Sequence, residues 1–269
     1  MQWSLAAAAL ESLPELPSQL AAIRAGLLDE GYVVADVPGL AVLNEQRRDA
    51  AVVALSSLMG TPTPVGGATT QIVWSVRPRP ELPDKLRAVN FSIAWGEACL
   101  HTDSAIIPDP ERWFGLWCMQ PAADGGASIL VDVERVIAAL RADTAGRDAL
   151  ALLREARLPM WNGQDDLHWV RLLDGPRKCA VRYGADLFAE GIQRAGLGAD
   201  DPRVIALRTF ERVLAVPLHR IRIPLKTDQV VFVDNHRVMH AREHFTDVDR
   251  CLLRVRLNEP PVCAPITGG

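Results

Sequence analysis

The spacing of apolar residues changes along the chain, from a helical period to short extended runs. Apolar side chains recur at helical spacing from Leu20 to a stop at Gly31, and again from Asn44 to a stop at Gly60. Asn44 and Gly60 are residue types that commonly begin and end a helix. Residues 32–37, between the two runs, look extended. The N-terminal segment is therefore predicted to form a helix, a strand and a second helix.

Short apolar or alternating segments dominate beyond a Pro/Gly/Thr-rich segment at residues 61–67, which predicts a loop. Their brevity, their β-branched and aromatic content and their Gly, Pro and Asp boundaries favour strands. The predicted strands cover residues 71–76, 91–100, 113–119, 128–131, 179–183, 221–225, 230–234 and 251–257. Two helical patterns interrupt them, one over residues 134–157 with a break near Gly146 and one over residues 201–215.

Strand-rich sequence around two helical insertions predicts an α+β fold with a mainly β core. The pattern favours a double-sheet architecture of the jelly-roll or cupin kind with flanking helices, although periodicity alone also fits other α+β folds. A chain of 269 residues, of which 49% are hydrophobic, can bury a full-sized core. We expect one domain over residues 1–269, with residues 1–60 as N-terminal support. Residues 71–260 would form the β core and carry the helical inserts near 134–157 and 201–215.

Composition narrows the class of partner. The formal net charge is −4 and no block of Lys and Arg occurs, so the sequence lacks the basic footprint of a nucleic-acid-binding protein. No stretch is apolar for long enough to cross a membrane, and the first residues lack the basic start and apolar core of a secretory signal. Five cysteines occur singly, without the paired spacing of a zinc site or a disulfide framework. We expect a cytoplasmic protein without a membrane span, whose partner is a small molecule.

The first candidate for chemistry is the tripeptide His101-Thr102-Asp103. Side chains two positions apart on an extended segment point to the same face, so His101 and Asp103 can chelate one metal ion. The pattern alone is weak, because six His and 33 acidic residues among 269 produce about 0.7 such matches by chance. A surface or capping pair is the alternative interpretation of this tripeptide.

A second histidine strengthens the metal hypothesis. The hydrophobic segment 230–234 runs into a polar turn and then His240. Two imidazoles and one carboxylate form the facial triad that suits Fe(II) and leaves coordination positions open for a co-substrate and O₂. His236 and His240 are also four residues apart, as in the HExxH zinc motif, but the catalytic Glu of that motif is missing.

Two later segments carry polar side chains that can bind a carboxylate. A glycine turn leads into a predicted strand that begins at Ser128. The last apolar segment carries Arg250, Arg254 and Arg256. A planar guanidinium is the best bidentate partner for a carboxylate, and a nearby hydroxyl can add a hydrogen bond. A hairpin turn and a solvated strand face are the plainer explanations.

These motifs together resemble one family. In the same order as that family, the chain carries HTD at 101–103, DGGAS at 124–128, DNHRVMHAR at 234–242 and DRCLLRVRL at 249–257. They are similar to the motifs of the taurine dioxygenase and clavaminate synthase superfamily of Fe(II)/2-oxoglutarate oxygenases. The resemblance covers most of the chain from about residue 71 onward. It implies a double-stranded β-helix core and bound Fe(II), with 2-oxoglutarate and O₂ as co-substrates.

The resemblance also implies roles for individual residues. It makes His101, Asp103 and His240 the catalytic iron ligands. It places the distal carboxylate of 2-oxoglutarate on Ser128 and Arg250.

A substrate site is implied as well. Arg254 corresponds to the arginine that lies near the anionic group of the prime substrate. The interval from His240 to Arg250 is short for this group, so the roles of Arg250 and Arg254 could be exchanged. Gln71 lies where amino-acid hydroxylases of the clavaminate synthase type keep a glutamine for the α-amino group of the substrate. A strand-edge glutamine is the alternative interpretation of Gln71.

The implied reaction is hydroxylation of an unactivated C–H bond, with release of succinate and CO₂. The substrate would be a small carboxylate-bearing molecule, such as a free amino acid or an aminoacyl group tethered to a carrier protein. Asp103 favours hydroxylation over chlorination, because related halogenases carry Gly or Ala in its place, whereas desaturation stays open. Two other classes stay open too: a non-redox metal-dependent hydrolase and a non-catalytic binding protein on a cupin-like scaffold.

Overall fold

The computed structural model describes residues 20–66, 69–83, 90–163, 166–174 and 180–259. Its helices are α1 (Leu20–Glu30), α2 (Glu45–Ser57), α3 (Val133–Leu140), α4 (Thr144–Glu155), α5 (Ala185–Arg194) and α6 (Pro202–Leu214). Its strands are β1 (Tyr32–Asp36), β2 (Thr61–Thr63), β3 (Trp74–Val76), β4 (Ala98–His101), β5 (Trp113–Gln120), β6 (Ser128–Asp132), β7 (Leu158–Met160), β8 (His168–Val170), β9 (Leu173–Asp174), β10 (Ala180–Val181), β11 (Arg220–Ile223), β12 (Gln229–Asp234), β13 (Val238–Arg242) and β14 (Cys251–Asn258). Short 3₁₀ turns occupy Phe91–Ile93 and Pro217–His219.

Two antiparallel sheets dominate the described part of the chain. The larger sheet has the strand order β1-β12-β5-β14-β2, and β3 also pairs with β14. The smaller sheet has the order β11-β6-β13-β4. Strands β7 and β8 form a separate two-stranded sheet, as do β9 and β10. The predicted α+β class, with antiparallel sheets at its centre, is confirmed.

Strand β12 shows how the sequence produces the layers. Alternate side chains of a strand point to opposite faces of its sheet. Val230 and Phe232 therefore pack with apolar residues of α1 and α2, whereas Val231 and Val233 pack with apolar residues of the smaller sheet. Because β12 is buried on both faces, its sequence reads as a continuous apolar run rather than as an alternation.

A third apolar layer covers the outer face of the smaller sheet. Val131 of β6 and Met239 of β13 belong to one buried cluster with Leu150 of α4 and Phe210 of α6. The inner faces of the two sheets are left to border each other, and the candidate site lies between them. None of the helices in the described part of the chain has the length and apolarity needed to cross a membrane.

Most helix boundaries follow from capping residues. The predicted helices α1, α2 and α6 are confirmed, and the side chain of Asn44 caps α2 by accepting a hydrogen bond from Arg47 N at 3.0 Å. The insert predicted over residues 134–157 is two helices, α3 and α4. Asp143 begins α4 by accepting a hydrogen bond from Gly146 N at 2.6 Å. The break therefore lies before Gly146 rather than at it.

Some strand predictions are wrong in part. The strand predicted over residues 91–100 is confirmed only at its end, as β4, because the segment begins with a 3₁₀ turn in which Asn90 accepts a hydrogen bond from Ser92 N at 3.1 Å. The loop predicted over residues 61–67 contains β2, which pairs with β14. Helix α5 and strand β13 are short and mix apolar with polar residues, and the apolar pattern predicts neither. Cys179, predicted to begin a strand, lies outside the described residues.

Candidate metal centre and anion pocket

The strand pairing of the smaller sheet brings two histidines together. His101 ends β4 and His240 lies in β13, and they are direct partners in the ladder, with ring centroids 4.1 Å apart. Asp103 follows two residues after His101, and its Oδ1 lies 3.8 Å from Nε2 of each imidazole. The three candidate ligand atoms all lie within 4.8 Å of one another. The structure thus brings together the three residues predicted to bind metal.

Hydrogen bonding determines which nitrogen of His101 faces this cluster. Its Nδ1 lies 2.9 Å from the carbonyl oxygen of Cys99, which can only accept, so Nδ1 carries the proton. Its Nε2 is buried and has no hydrogen-bond partner among the described residues. An unprotonated nitrogen with a fixed orientation is what a metal ligand requires, and the backbone carbonyl supplies that orientation.

Both imidazoles are held neutral by their surroundings. Burial lowers the pKa of His240 well below its usual value, and the neighbouring His101 lowers it further. Burial also lowers the pKa of His101, although the carboxylate of Asp103 opposes this shift. Metal ions bind the neutral form of imidazole, so the site supplies the required protonation state.

Two arginines hold the carboxylate of Asp103. Arg254 Nη1 donates to Oδ1 at 3.1 Å, and Arg256 Nε donates to Oδ2 at 2.9 Å. Burial by itself raises the pKa of Asp103, but the two guanidiniums outweigh it and bring the pKa well below its usual range. Asp103 is therefore ionised at neutral pH. The resemblance assigns no role to Arg256, yet its position two residues after Arg254 places both on one face of β14.

Asn235 is a further site residue that the sequence does not single out. It is 1% exposed, and its Oδ1 accepts a hydrogen bond from Asp103 N at 2.8 Å. Its Nδ2 donates to the carbonyl oxygens of Asp103 and Glu111 at 3.0 and 2.9 Å. Asn235 thus ties the turn after β12 to the loop that carries a candidate metal ligand. Its only signal in the sequence is an amide after an apolar run, which equally describes an ordinary turn residue.

A cavity opens between the two sheets beside the metal-ligand cluster. It is bordered by His101 and His240 and also by Ser128, Arg250 and Arg254, the residues predicted to bind the anionic ligands. The structure therefore brings the predicted metal ligands and the predicted anion-binding residues to one space.

Arg250 is buried in the cavity wall without an acidic partner among the described residues. Its Nη2 donates to the carbonyl oxygen of Gly126 at 3.2 Å, whereas its Nη1 is buried and has no hydrogen-bond partner there. Burial lowers the pKa of Arg250 to about 10, so the guanidinium is still charged at neutral pH. Since a buried charge is costly unless it is paired, this position favours an anionic ligand.

Arg242 is a second buried arginine in the same wall, and the resemblance assigns it no role. It lies directly opposite Ser128 in the ladder between β13 and β6. Its Nε and Nη1 donate to the carbonyl oxygens of Gly96 and Phe91 at 3.1 and 2.8 Å, whereas its Nη2 is buried without a partner in the described ranges. Burial, with a contribution from Arg250, lowers the pKa of Arg242 to about 9.

Two residues singled out from the sequence lie apart from this cavity. Gln71 is exposed, and its Nε2 donates to the carbonyl oxygen of Val73 at 2.9 Å. His236 Nε2 lies 2.9 Å from the carbonyl oxygen of Pro110, and His236 is not part of the metal-ligand cluster. The paired histidines of an HExxH site are therefore not formed by His236 and His240.

Comparisons with known proteins identify a family and several similar folds. The model of the family described as "Taurine catabolism dioxygenase TauD, TfdA family" matches residues 7–256. Asparagine oxygenase in complex with Fe(II), 2S,3S-3-hydroxyasparagine and succinate has a TM-score of 0.71 at 17% identity, covering 91% of this chain and 79% of that chain. The non-heme iron oxygenase OrfP, in complex with Fe and alpha-ketoglutaric acid, has a TM-score of 0.70 at 18% identity, covering 96% and 91%. A taurine dioxygenase from Burkholderia xenovorans has a TM-score of 0.61 at 20% identity, covering 90% and 81%. No curated protein sequence matches the chain significantly.

Proposed function

This chain belongs to the taurine catabolism dioxygenase TauD, TfdA family, and we propose that it is an Fe(II)- and 2-oxoglutarate-dependent oxygenase. The proposed reaction is hydroxylation of an unactivated C–H bond of a small carboxylate-bearing substrate, with consumption of O₂ and 2-oxoglutarate and release of succinate and CO₂. One observation carries this function: a neutral two-histidine, one-carboxylate cluster borders the same cavity as two buried arginines that have unpaired nitrogens.

Iron would be held by Nε2 of His101, Oδ1 of Asp103 and Nε2 of His240. Two neutral nitrogens and one carboxylate oxygen suit Fe(II) and leave positions for other ligands. The bound iron and 2-oxoglutarate supply the oxidising chemistry. The chain contributes orientation: the carbonyl of Cys99 fixes the ring of His101, and Arg256 holds the carboxylate oxygen of Asp103 that does not face the imidazoles.

Ser128 and Arg250 are the proposed partners of the distal carboxylate of 2-oxoglutarate. Arg250 offers a buried, unpaired Nη1, and Ser128 lines the same cavity. Arg254, the alternative candidate for this role, already donates to Asp103. Because Arg250 has no acidic partner among the described residues and keeps an unpaired nitrogen, it is the better carboxylate partner of the two.

Arg254 is the proposed partner of the anionic group of the prime substrate, and Arg256 adds a second cation next to it. Among the described residues, each guanidinium donates to Asp103 through a single nitrogen. A small recess beside the two arginines is lined by Thr63 and Trp74, among others. The named complexes of asparagine oxygenase and OrfP contain hydroxyasparagine and (3S)-hydroxy-L-Arg, and this supports an amino-acid substrate here.

A free amino acid is the proposed form of the substrate. Tethering to a carrier protein stays a prediction, as does contact between Gln71 and the α-amino group. The carboxylate of Asp103 supports hydroxylation rather than chlorination, since related halogenases leave that coordination position to chloride.

We also propose that the two sheets form a double-stranded β-helix within one domain. The apolar cluster shared by their inner faces supports this architecture. The cytoplasmic location stays a prediction.

Anaerobic absorption spectra test the proposed function. Protein purified without O₂ and mixed with Fe(II) and 2-oxoglutarate should show the weak visible metal-to-ligand band of the iron chelate. His240→Ala removes a ligand and should abolish the band, whereas His236→Ala, outside the cluster, should keep it. No band in folded wild-type protein would refute the oxygenase assignment and favour a metal-dependent hydrolase or a binding protein.

A further inference from the structure

We infer that Arg242 is a second binding residue for the distal carboxylate of 2-oxoglutarate, beside Arg250. This role rests on the proposed function, and it extends the co-substrate site beyond the residues that the family motifs assign. Both arginines line the cavity and both have a buried nitrogen without a partner in the described part of the chain.

Three polar side chains come together at this end of the cavity. Arg242 and Ser128 are direct partners in the ladder between β13 and β6. Arg250 immediately precedes β14, a strand of the other sheet. The ring of Phe245 contacts both guanidiniums, its centroid lying 4.8 Å from Cζ of Arg242 and 4.9 Å from Cζ of Arg250. Each sheet thus contributes one cation to a single site.

The hydrogen bonds of the two guanidiniums leave one nitrogen of each without a partner among the described residues. All their partners among the described residues are carbonyl oxygens, which carry no charge to balance them. Nη2 of Arg242 and Nη1 of Arg250 are the unpaired nitrogens. Two neighbouring buried cations without a counter-charge are unfavourable. A carboxylate supplies one negative charge and two acceptor oxygens, one for each unpaired N–H group.

The remaining bonds of Arg242 orient its unpaired nitrogen in advance. Its Nε and Nη1 are both held by carbonyl oxygens, so the planar guanidinium cannot turn without breaking a hydrogen bond. A group that is already ordered loses little conformational entropy when a ligand binds. One of these carbonyls belongs to Phe91, whose ring lies 4.5 Å from that of His101. Arg242 therefore also links the carboxylate end of the cavity to the metal end.

A pair of ligands that differ only in the distal carboxylate tests this role. 2-Oxoglutarate and 2-oxopentanoate share the iron-chelating end, and only the former has a second carboxylate. Their dissociation constants would be measured on Fe(II)-loaded protein without O₂, from the visible band, in wild type, Arg242→Gln and Arg250→Gln. Arg222→Gln, which changes an exposed arginine of the same sheet, is the matched control.

We expect Arg242→Gln to weaken 2-oxoglutarate about tenfold or more, as loss of a charged hydrogen bond does, and to change 2-oxopentanoate less than about twofold. Equal weakening of both ligands would mean that Arg242 only supports the fold, and no weakening of either would overturn its role as well. Arg242→Lys keeps the charge and should give an intermediate effect on 2-oxoglutarate alone, which preserves the test if the Gln variant folds poorly.

A different result is expected if the proposed function itself is wrong. In that case wild-type protein would bind neither ligand through iron. A different result would refute only the role of Arg242. In that case wild type would bind 2-oxoglutarate and Arg250→Gln would weaken 2-oxoglutarate more than 2-oxopentanoate, whereas Arg242→Gln would not.

Discussion

Both ends of the cavity contain arginines, but the arginines differ in their hydrogen-bond partners. At the metal end, Arg254 and Arg256 each donate a hydrogen bond to the carboxylate of Asp103. At the other end, Arg242 and Arg250 have carbonyl oxygens as partners and keep one buried nitrogen each without a partner in the described ranges.

The difference shows where this fold pairs its arginines with an acid of its own and where it leaves that pairing to a ligand. At the metal end both guanidiniums share the single carboxylate of Asp103, so they offer only part of their hydrogen-bonding capacity to a substrate. The other end holds positive charge that the chain does not neutralise, and an anionic co-substrate would neutralise it.

The largest effect should come from removing the acid at the metal end. Asp103→Ala deletes a metal ligand and leaves Arg254 and Arg256 without their hydrogen-bonded carboxylate. We expect Fe(II) affinity to fall more than about 100-fold, since even outer-shell changes cost about 10–100-fold. The free energy of unfolding should fall by about 3 kcal/mol, because two largely buried cations lose their partner. Metal titration and urea unfolding measure both changes, with the exposed Asp109→Ala as control.

The stability difference between wild type and Asp103→Ala should depend on pH. The pKa of Asp103 lies below its unfolded value of about 4, so the carboxylate stabilises the folded state above about pH 4 and this contribution is lost as the pH falls further. The difference in unfolding free energy should therefore shrink between about pH 5 and pH 3. A difference that stays constant over this range would contradict the ion pairs described for Asp103.

The second largest effect should come from adding an acid to the other end. Ser128→Asp places a carboxylate opposite Arg242, so the chain itself would supply an anionic partner for the arginines. We expect 2-oxoglutarate to bind about 50-fold more weakly or worse, because the arginines lose their demand for an external anion and a like charge repels the ligand. Ser128→Asn, of similar size and neutral, should weaken binding far less. Equal affinities in the two variants would argue that charge does not govern this end.

A smaller effect should come from loosening the support of the metal end. Asn235→Ala removes all three hydrogen bonds that fix the backbone of Asp103 and Glu111. We expect Fe(II) affinity to fall about tenfold. Asn44→Ala is the matched control, because it removes the cap of α2 at a cost of about 1 kcal/mol of stability and lies in the N-terminal segment. If both variants bind iron as wild type does, Asn235 does not position the ligand.

The smallest effect should come from Gln71→Ala. Its side chain is exposed and hydrogen-bonded within its own segment, so we expect KM for the prime substrate to change less than about threefold. A rise of tenfold or more, without a change in 2-oxoglutarate affinity, would instead support contact with the substrate.

Local spacing made part of the site predictable. His101 ends β4 and Asp103 lies two residues later, in the turn that follows, so the short spacing predicted that the two side chains lie close together. The apolar runs predicted most strands of the two sheets because buried strands need continuous or alternating apolar residues. The partnership of His240 with His101 depends on long-range strand pairing, and the family resemblance rather than the apolar pattern predicted it.

The other site residues could not be identified from the sequence, because their neighbours come from distant segments of the chain. Arg242 reads as a charged residue after a histidine until β13 is paired with β6 and Ser128 stands opposite. Asn235 reads as a turn residue until the loop that carries Asp103 is folded against it. In both cases the residue type is ordinary, and its role comes from what the ladder or the loop places beside it.

An anaerobic crystal structure with Fe(II) and 2-oxoglutarate would locate the metal ion and the co-substrate in one experiment. We predict iron on Nε2 of His101, Oδ1 of Asp103 and Nε2 of His240, with the distal carboxylate of 2-oxoglutarate hydrogen-bonded to both Arg242 and Arg250. A metal bound elsewhere, or 2-oxoglutarate with its distal carboxylate away from these arginines, would contradict the account.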